Sequence, residues 1–155
     1  MGYDARVQAL GLILPIAPKP VANYIPAALV GELLFLSGVL PFREGHVVSP
    51  GKLGREVTIE QGEAAARQAV LNALAIVRTE LGTLDKVRRI VKLTGHVASA
   101  PEFVQQPAVI NGASDLLVQV FGDAGRHTRV AVGAAELPLN AAVELELILQ
   151  VHAEA

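Results

Sequence analysis

The stretch Arg126-His-Thr-Arg-Val-Ala-Val-Gly-Ala-Ala-Glu-Leu-Pro-Leu-Asn-Ala-Ala-Val-Glu-Leu-Glu-Leu-Ile-Leu-Gln-Val151 decides the fold. Two runs of strand-forming residues flank a Leu137-Pro138-Leu139-Asn140 turn, which predicts a closing β-hairpin. Along its second run Val143, Leu145, Leu147, Leu149 and Val151 point one way, and Glu144, Glu146, Ile148, Gln150 and His152 the other. The odd set predicts contact with helices. The even set faces whatever covers the open side of the sheet, where a carboxylate must be solvated, paired or functional.

Arg129 and Glu144 are the charges such a hairpin has to explain. A guanidinium can clamp a carboxylate or phosphate bidentately, which lysine cannot imitate. An ion pair across an interface is the plainer reading of Arg129, and a solvated face or a subunit salt bridge that of Glu144 and Glu146. With the turn centred near Pro138 and Leu139, Arg129 falls opposite about position 148, which displaces Glu144 by about four residues, or on the order of 13 Å. A bulge, a spanning ligand or a neighbouring subunit would reconcile them.

Working outward, Thr58-Ile59-Glu60-Gln61 has the spacing of a capping box. Behind it Ala66, Ala69, Val70, Ala73 and Val77 recur as one buried helical stripe, Glu63 and Arg67 pair at i, i+4, and Gly82 ends the helix. From Val87 to Val97 the apolar residues Val87, Val91, Leu93 and Val97 fall on odd positions, a half-buried strand. Ser99-Ala100-Pro101-Glu102 reads as a second capping box interrupted by Pro107. The main second helix then runs from about Pro107 to Phe121, burying Ile110, Ala113, Leu117, Val120 and Phe121.

Before all of these, a Pro-rich lead-in gives way to a hairpin over Ala27–Val30 and Leu33–Val39, turning at Gly31-Glu32. Residues Pro41 to Val57 read as a surface loop or ragged extra hairpin. The order strand, strand, helix, strand, helix, strand, strand predicts one α+β domain over residues 1–155, with two helices on one face of a mainly antiparallel sheet. Partner subunits are the expected cover for the other face. Composition agrees: 52% of the chain is hydrophobic and only 18% charged, against about 25% usually, so apolar surface is left for a partner.

A formal net charge of -2 and the lack of a basic run leave nucleic-acid binding without its electrostatic footing. The absence of cysteine removes disulfides and thiolate sites and fits a reducing compartment, with the cytoplasm as the default. The apolar run Leu10–Ala17 is broken by Pro15 and is short of the ~20 residues of a membrane span. It has no signal-peptide layout, and Arg6 stands where a myristoylation signal needs Ser or Thr. His46, His96, His127 and His152 share no ligand spacing, so no metal is expected, and neither a serine nucleophile elbow nor a phosphate-cradling glycine loop is present.

Several of these segments together resemble the Rid proteins, the reactive intermediate deaminases also called the YjgF or L-PSP endoribonuclease family. The signature is Arg129-Val-Ala-Val-Gly-Ala-Ala-Glu-Leu-Pro138 followed by Val143-Glu-Leu-Glu146. Ser37-Gly38-Val39-Leu40-Pro41 resembles the family's Ser-Gly-x-x-Pro, with Tyr24 before it and Asn111 in the second helix. The resemblance implies a chorismate mutase-like α+β subunit, a homotrimer with pockets between subunits, and cofactor-free hydrolysis of 2-imino acids such as 2-aminoacrylate to 2-keto acids and ammonia. It implies that Arg129 clamps the substrate carboxylate and Glu144 activates water. Tyr24, Ser37, Gly38, Asn111 and the backbone of Ala131 then line the pocket. The chain departs from the family at Val39 and Ala131, often glutamine and cysteine, and in a longer Arg43–Arg55 loop. The alternatives are a metabolite-binding or structural trimer holding small carboxylates and, more distantly, an endoribonuclease.

Overall fold

The computed structural model describes residues 1–20 and 22–153. Its five-stranded sheet has the order β1-β2-β7-β5-β6, formed by β1 (Ala27–Val30), β2 (Leu33–Leu36), β5 (Val87–Ala98), β6 (Thr128–Ala134) and β7 (Val143–Val151). A separate small ladder joins β3 (Phe42–Arg43) to β4 (His46–Val47), so of the two readings of Pro41 to Val57, surface loop or ragged extra hairpin, the segment takes the second over its first part. Helices α1 (Tyr3–Ala9), α2 (Ile59–Leu81) and α3 (Gln106–Phe121) complete the α+β chain. Among the described residues no helix is long and apolar enough to cross a membrane.

Strand β7 organises the core as its alternation predicts. Val143, Leu145, Leu147, Leu149 and Val151 are all buried, each contributing about 1.5 to 3 kcal/mol. The intervening Glu144, Glu146, Ile148 and Gln150 stay partly or fully accessible. Helix α2 starts on the expected capping box, with Gln61 N donating to Thr58 Oγ1 and Thr58 N donating to Gln61 Oε1. It ends at Gly82, which takes a left-handed conformation. The predicted stripe Ala66, Ala69, Val70, Ala73 and Val77 is wholly buried, as is the α3 set Ile110, Ala113, Leu117, Val120 and Phe121.

The expected closing hairpin does not form. Strand β5 lies between β6 and β7, pairing in parallel with β6 (Leu93↔Arg129) and antiparallel with β7 (Leu93↔Leu147). The Leu-Pro turn therefore carries the chain past the end of β5 rather than into a neighbouring strand. Leu139 and Asn140 both have positive φ, 56° and 59°. The connection through α3 supplies the long crossover that the parallel pairing of β5 and β6 requires.

Other departures have local causes. Register shifts between Val87/Arg89 and Ile90/Lys92 reverse the strand's parity twice, so Ile90 is buried and Val91 is only partly so. The Ser99 capping box starts no helix. Ser99 Oγ instead donates to Val97 O, Ala100 N donates to Leu53 O, and α3 begins at Gln106 with Pro107 in its first turn. Arg67 donates to Gln119 Oε1 on α3 at 3.3 Å, a tertiary contact in place of the expected pair with Glu63.

The unforeseen third helix, α1, is tied down by tertiary contacts. Asp4 Oδ2 accepts from Thr83 Oγ1 and Leu84 N, Val7 is buried, and Tyr3 meets Phe121 edge to face at 4.7 Å.

Helices α2 and α3 cross backbone to backbone at Gly112, where an added Cβ would strike the carbonyl of Glu63. A backbone carbonyl inside a helix cannot move aside as a side-chain tip can. Gly112→Ala is therefore expected to destabilise the protein by about 1 to 3 kcal/mol, read as a lower urea midpoint at fixed protein concentration. An unchanged midpoint would mean the crossing is looser than described.

Candidate functional site

The segment after β2 is fixed by its own backbone. Ser37 N donates to Pro26 O, while Val39 and Leu145 exchange hydrogen bonds at 2.8 and 3.0 Å. Ser37 Oγ donates to Ile25 O at 2.6 Å, so its hydroxyl proton is committed and toward a ligand the oxygen can act only as an acceptor. Gly38, between them, lies against the Glu144 carboxylate, and a Cβ there would overlap Glu144 Oε1. Glycine at this position is what lets the carboxylate sit close to the chain.

Around this contact is a cleft of about 350 Å³ lined by Tyr24, Ser37, Gly38 and Glu144, together with Lys19 and Leu139. Four of the residues that the sequence marks as a site thus share one cavity. Lys19 and Leu139 were not anticipated. Leu139 belongs to the Leu-Pro turn, whose passage over the end of β5 brings it there.

Glu144 is held in an unusual electrostatic state. Its burial raises the carboxyl pKa above the usual value, the nearby His96 opposes that shift, and the like charge of Glu146 adds to it. The cross-strand register sets His96 beside Glu144 and Thr94 beside Glu146, yet His96 Nε2 bonds Glu146 Oε2 at 2.6 Å. Among the described residues the Glu144 carboxylate has no hydrogen-bond or ion-pair partner. His96 is engaged by Glu146, which leaves the Glu144 carboxylate available.

Arg129 lies elsewhere. On the edge strand β6 it points toward α3, where its Nη1 donates to Asn111 Oδ1 at 2.8 Å and to Ser114 Oγ at 3.3 Å. Val130 and Val132, 45% and 43% exposed, face the other way. Ala131 shares Arg129's side and packs against the core. Glu144 sits two strands away in the sheet order, on the face that alternation turns from the helices. Arg129 and Asn111 therefore form a second cluster, and within one chain it does not meet the Glu144 cleft. Behind Arg129 stand Ser114, which the sequence did not mark, and His127, which it marked only as a histidine without a ligand spacing. Their signal was positional: Ser114 is three residues from Asn111 on a helix, and His127 is two residues before Arg129, just ahead of β6.

With this geometry in view, comparisons with known proteins converge. The family described as "YjgF/chorismate mutase-like, putative endoribonuclease" matches residues 4–151. The chain is 43% identical over 149 residues to Protein TCP17 of Trypanosoma cruzi, across 96% of this chain and 93% of that one. It is 30% identical over 140 residues to the 2-iminobutanoate/2-iminopropanoate deaminase of Dermatophagoides farinae, across 89% and 93%. The crystal structure of Atu1372 from Agrobacterium tumefaciens is similar with a TM-score of 0.90 at 46% identity, over 97% of this chain and 92% of that one.

A raised carboxyl pKa has a stability signature. The folded state holds the Glu144 proton to higher pH than the unfolded chain does, so its contribution to stability is present at low pH and lost as pH rises through the folded value. Glu144→Gln should accordingly be more stable than wild type at pH 7, with the difference shrinking toward pH 4. Urea unfolding at the two pH values measures it, and a difference independent of pH would refute the assignment.

Proposed function

The chain belongs to the YjgF/chorismate mutase-like family, and from that premise we propose that it hydrolyses small reactive 2-imino acids, and enamines of the 2-aminoacrylate type, to 2-keto acids and ammonia. The observation that carries this reading is the unpartnered, partly buried Glu144 carboxylate in the Tyr24–Ser37–Gly38 cleft. The deaminase name of the Dermatophagoides farinae relative supports it.

The chemistry asks little beyond water, a base and a carboxylate clamp. An enamine first takes a proton on carbon to give the imine. Glu144 accepts a proton from water as the water oxygen bonds to the imine carbon and the C=N π pair moves to nitrogen. That proton, returned to nitrogen, gives the carbinolamine. Glu144 then takes the proton of the carbinolamine hydroxyl and passes it to the amino nitrogen, so that the C–N bond breaks as the keto C=O forms and ammonia departs. Base assistance of this kind is worth about 10² to 10⁴ in rate, and fixing the substrate carboxylate supplies the positioning.

Arg129 is the proposed clamp. Because Arg129 and Glu144 occupy different faces and strands of one subunit, the proposed assembly is a homotrimer in which each pocket takes Arg129, Asn111 and Ala131 from one copy. Tyr24, Ser37, Gly38 and Glu144 come from the next. Leu33 and Phe35, 37% and 39% exposed on the face away from the helices, are apolar surface suited to such burial. Ribonuclease activity is the weaker reading, since a chain of net charge -2 offers little attraction to a phosphate backbone.

On freshly generated 2-aminoacrylate, wild type should release ammonia and pyruvate well above the buffer rate. Glu144→Gln should lower kcat by about 10² to 10⁴ with a small change in KM, while Arg129→Ala should chiefly raise KM. Coupled lactate dehydrogenase detection measures both. Wild-type turnover equal to buffer would refute the deaminase, and arginine-dependent binding of 2-keto acids without turnover would identify a carboxylate-binding protein instead.

A further inference from the structure

Resting on the reading of Arg129 as a carboxylate clamp, we infer that Ser114 and His127 form a directional hydrogen-bond relay that fixes one guanidinium nitrogen and turns the opposite edge toward the ligand. His127 Nδ1 lies 2.6 Å from the carbonyl oxygen of Gly125. A carbonyl has no proton to give, so Nδ1 carries the hydrogen and donates. In the neutral ring Nε2 is then an acceptor, and Ser114 Oγ, 2.9 Å away, must donate to it. The hydroxyl oxygen thereby presents its lone pairs to Arg129 Nη1.

Nη1 has two hydrogens, and both are used. One goes to Ser114 Oγ and the other to Asn111 Oδ1, side chains one helical turn apart on α3. Among the described residues Nε and Nη2 of Arg129 have no hydrogen-bond partner. The Nε–Nη2 edge presents two parallel N–H groups, the fork that matches a carboxylate bidentately. Saturating Nη1 from one side removes the alternative in which the carboxylate binds across Nη1 and Nη2. It also stops the guanidinium from rotating, which reduces the ordering cost of binding. Ser114 and His127 are positioning residues, acting on the substrate through Arg129.

Calorimetry with pyruvate and with its uncharged analogue pyruvamide tests the relay on the intact protein. Ser114→Ala and His127→Phe, the latter keeping a ring but removing the acceptor, should each weaken pyruvate binding by about five- to tenfold and leave pyruvamide unaffected. The double variant should be no worse than either single one, because both break the same chain. His127→Gln, whose amide oxygen can take the Ser114 proton, should recover most of the loss. Should His127→Phe fail to fold, Ser114→Ala and His127→Gln still decide the matter. Loss of pyruvate binding in Arg129→Ala with wild-type affinity in Ser114→Ala and His127→Phe would overturn the relay alone. Equal weakening of both ligands, or additive effects, would also overturn it by assigning the pair a merely structural role. Absence of pyruvate binding by wild type, or affinity in Arg129→Ala equal to that of wild type, would overturn the clamp and the relay together.

Discussion

The antiparallel pairing of β5 with β7 places Val97 opposite Val143 and Leu93 opposite Leu147, all buried under the helices. That ladder is the constraint on which the remaining structure depends. It fixes which face of β7 is apolar and sets His96 beside Glu144. It also leaves no room for β6 to pair with β7, which sends β6 to the sheet edge and carries Arg129 with it. The two charges, which a closing hairpin would already offset along its ladder, are thus also held apart by the strand between them.

What results on the Glu144 side is a compromise between folding and chemistry. A partly buried carboxylate without a partner costs stability when ionised, and the nearby Glu146 makes ionisation harder. The protein limits the damage locally. His96 takes up Glu146, and Gly38 removes the side chain that would otherwise collide with Glu144. Arg129 is treated in the opposite way. It is anchored by Asn111 and Ser114 on a helix, so the cation is held in one orientation by groups that carry no charge.

The sequence made legible whatever rests on local periodicity or on a few adjacent residues. The Thr58 capping box, the α2 stripe, the α3 core positions and the inward set of β7 are of this kind. Strand neighbours are not, because pairing in a sheet is settled by contacts far apart in the chain, and the Leu-Pro turn looks the same whether it closes a hairpin or crosses over β5. The bulges that bury Ile90 and leave Val91 only partly buried depend on β7, and the idle cap at Ser99 depends on Leu53. Helix α1 is short and held by Thr83, Leu84 and Phe121, none of them near it in sequence. For the site, the family resemblance marked Tyr24, Ser37, Gly38 and Glu144, which the fold gathers into one cleft. It marked Arg129 and Asn111 as well, but Ser114 and His127 became visible only when α3 was laid against β6.

The central claim is that one pocket draws Arg129 and Glu144 from different copies of the chain, and subunit complementation tests it most directly. Arg129→Ala and Glu144→Gln proteins, each strongly impaired alone at substrate concentrations well below the KM of the Arg129→Ala protein, are unfolded together at equal concentration, refolded and assayed on 2-aminoacrylate under that condition, with mass spectrometry verifying mixed assemblies. If each pocket combines the arginine of one subunit with the glutamate of another, random mixing restores about one quarter of wild-type activity. If both residues act from the same chain, every pocket carries one defect or the other, and mixed assemblies without recovered activity would contradict the account.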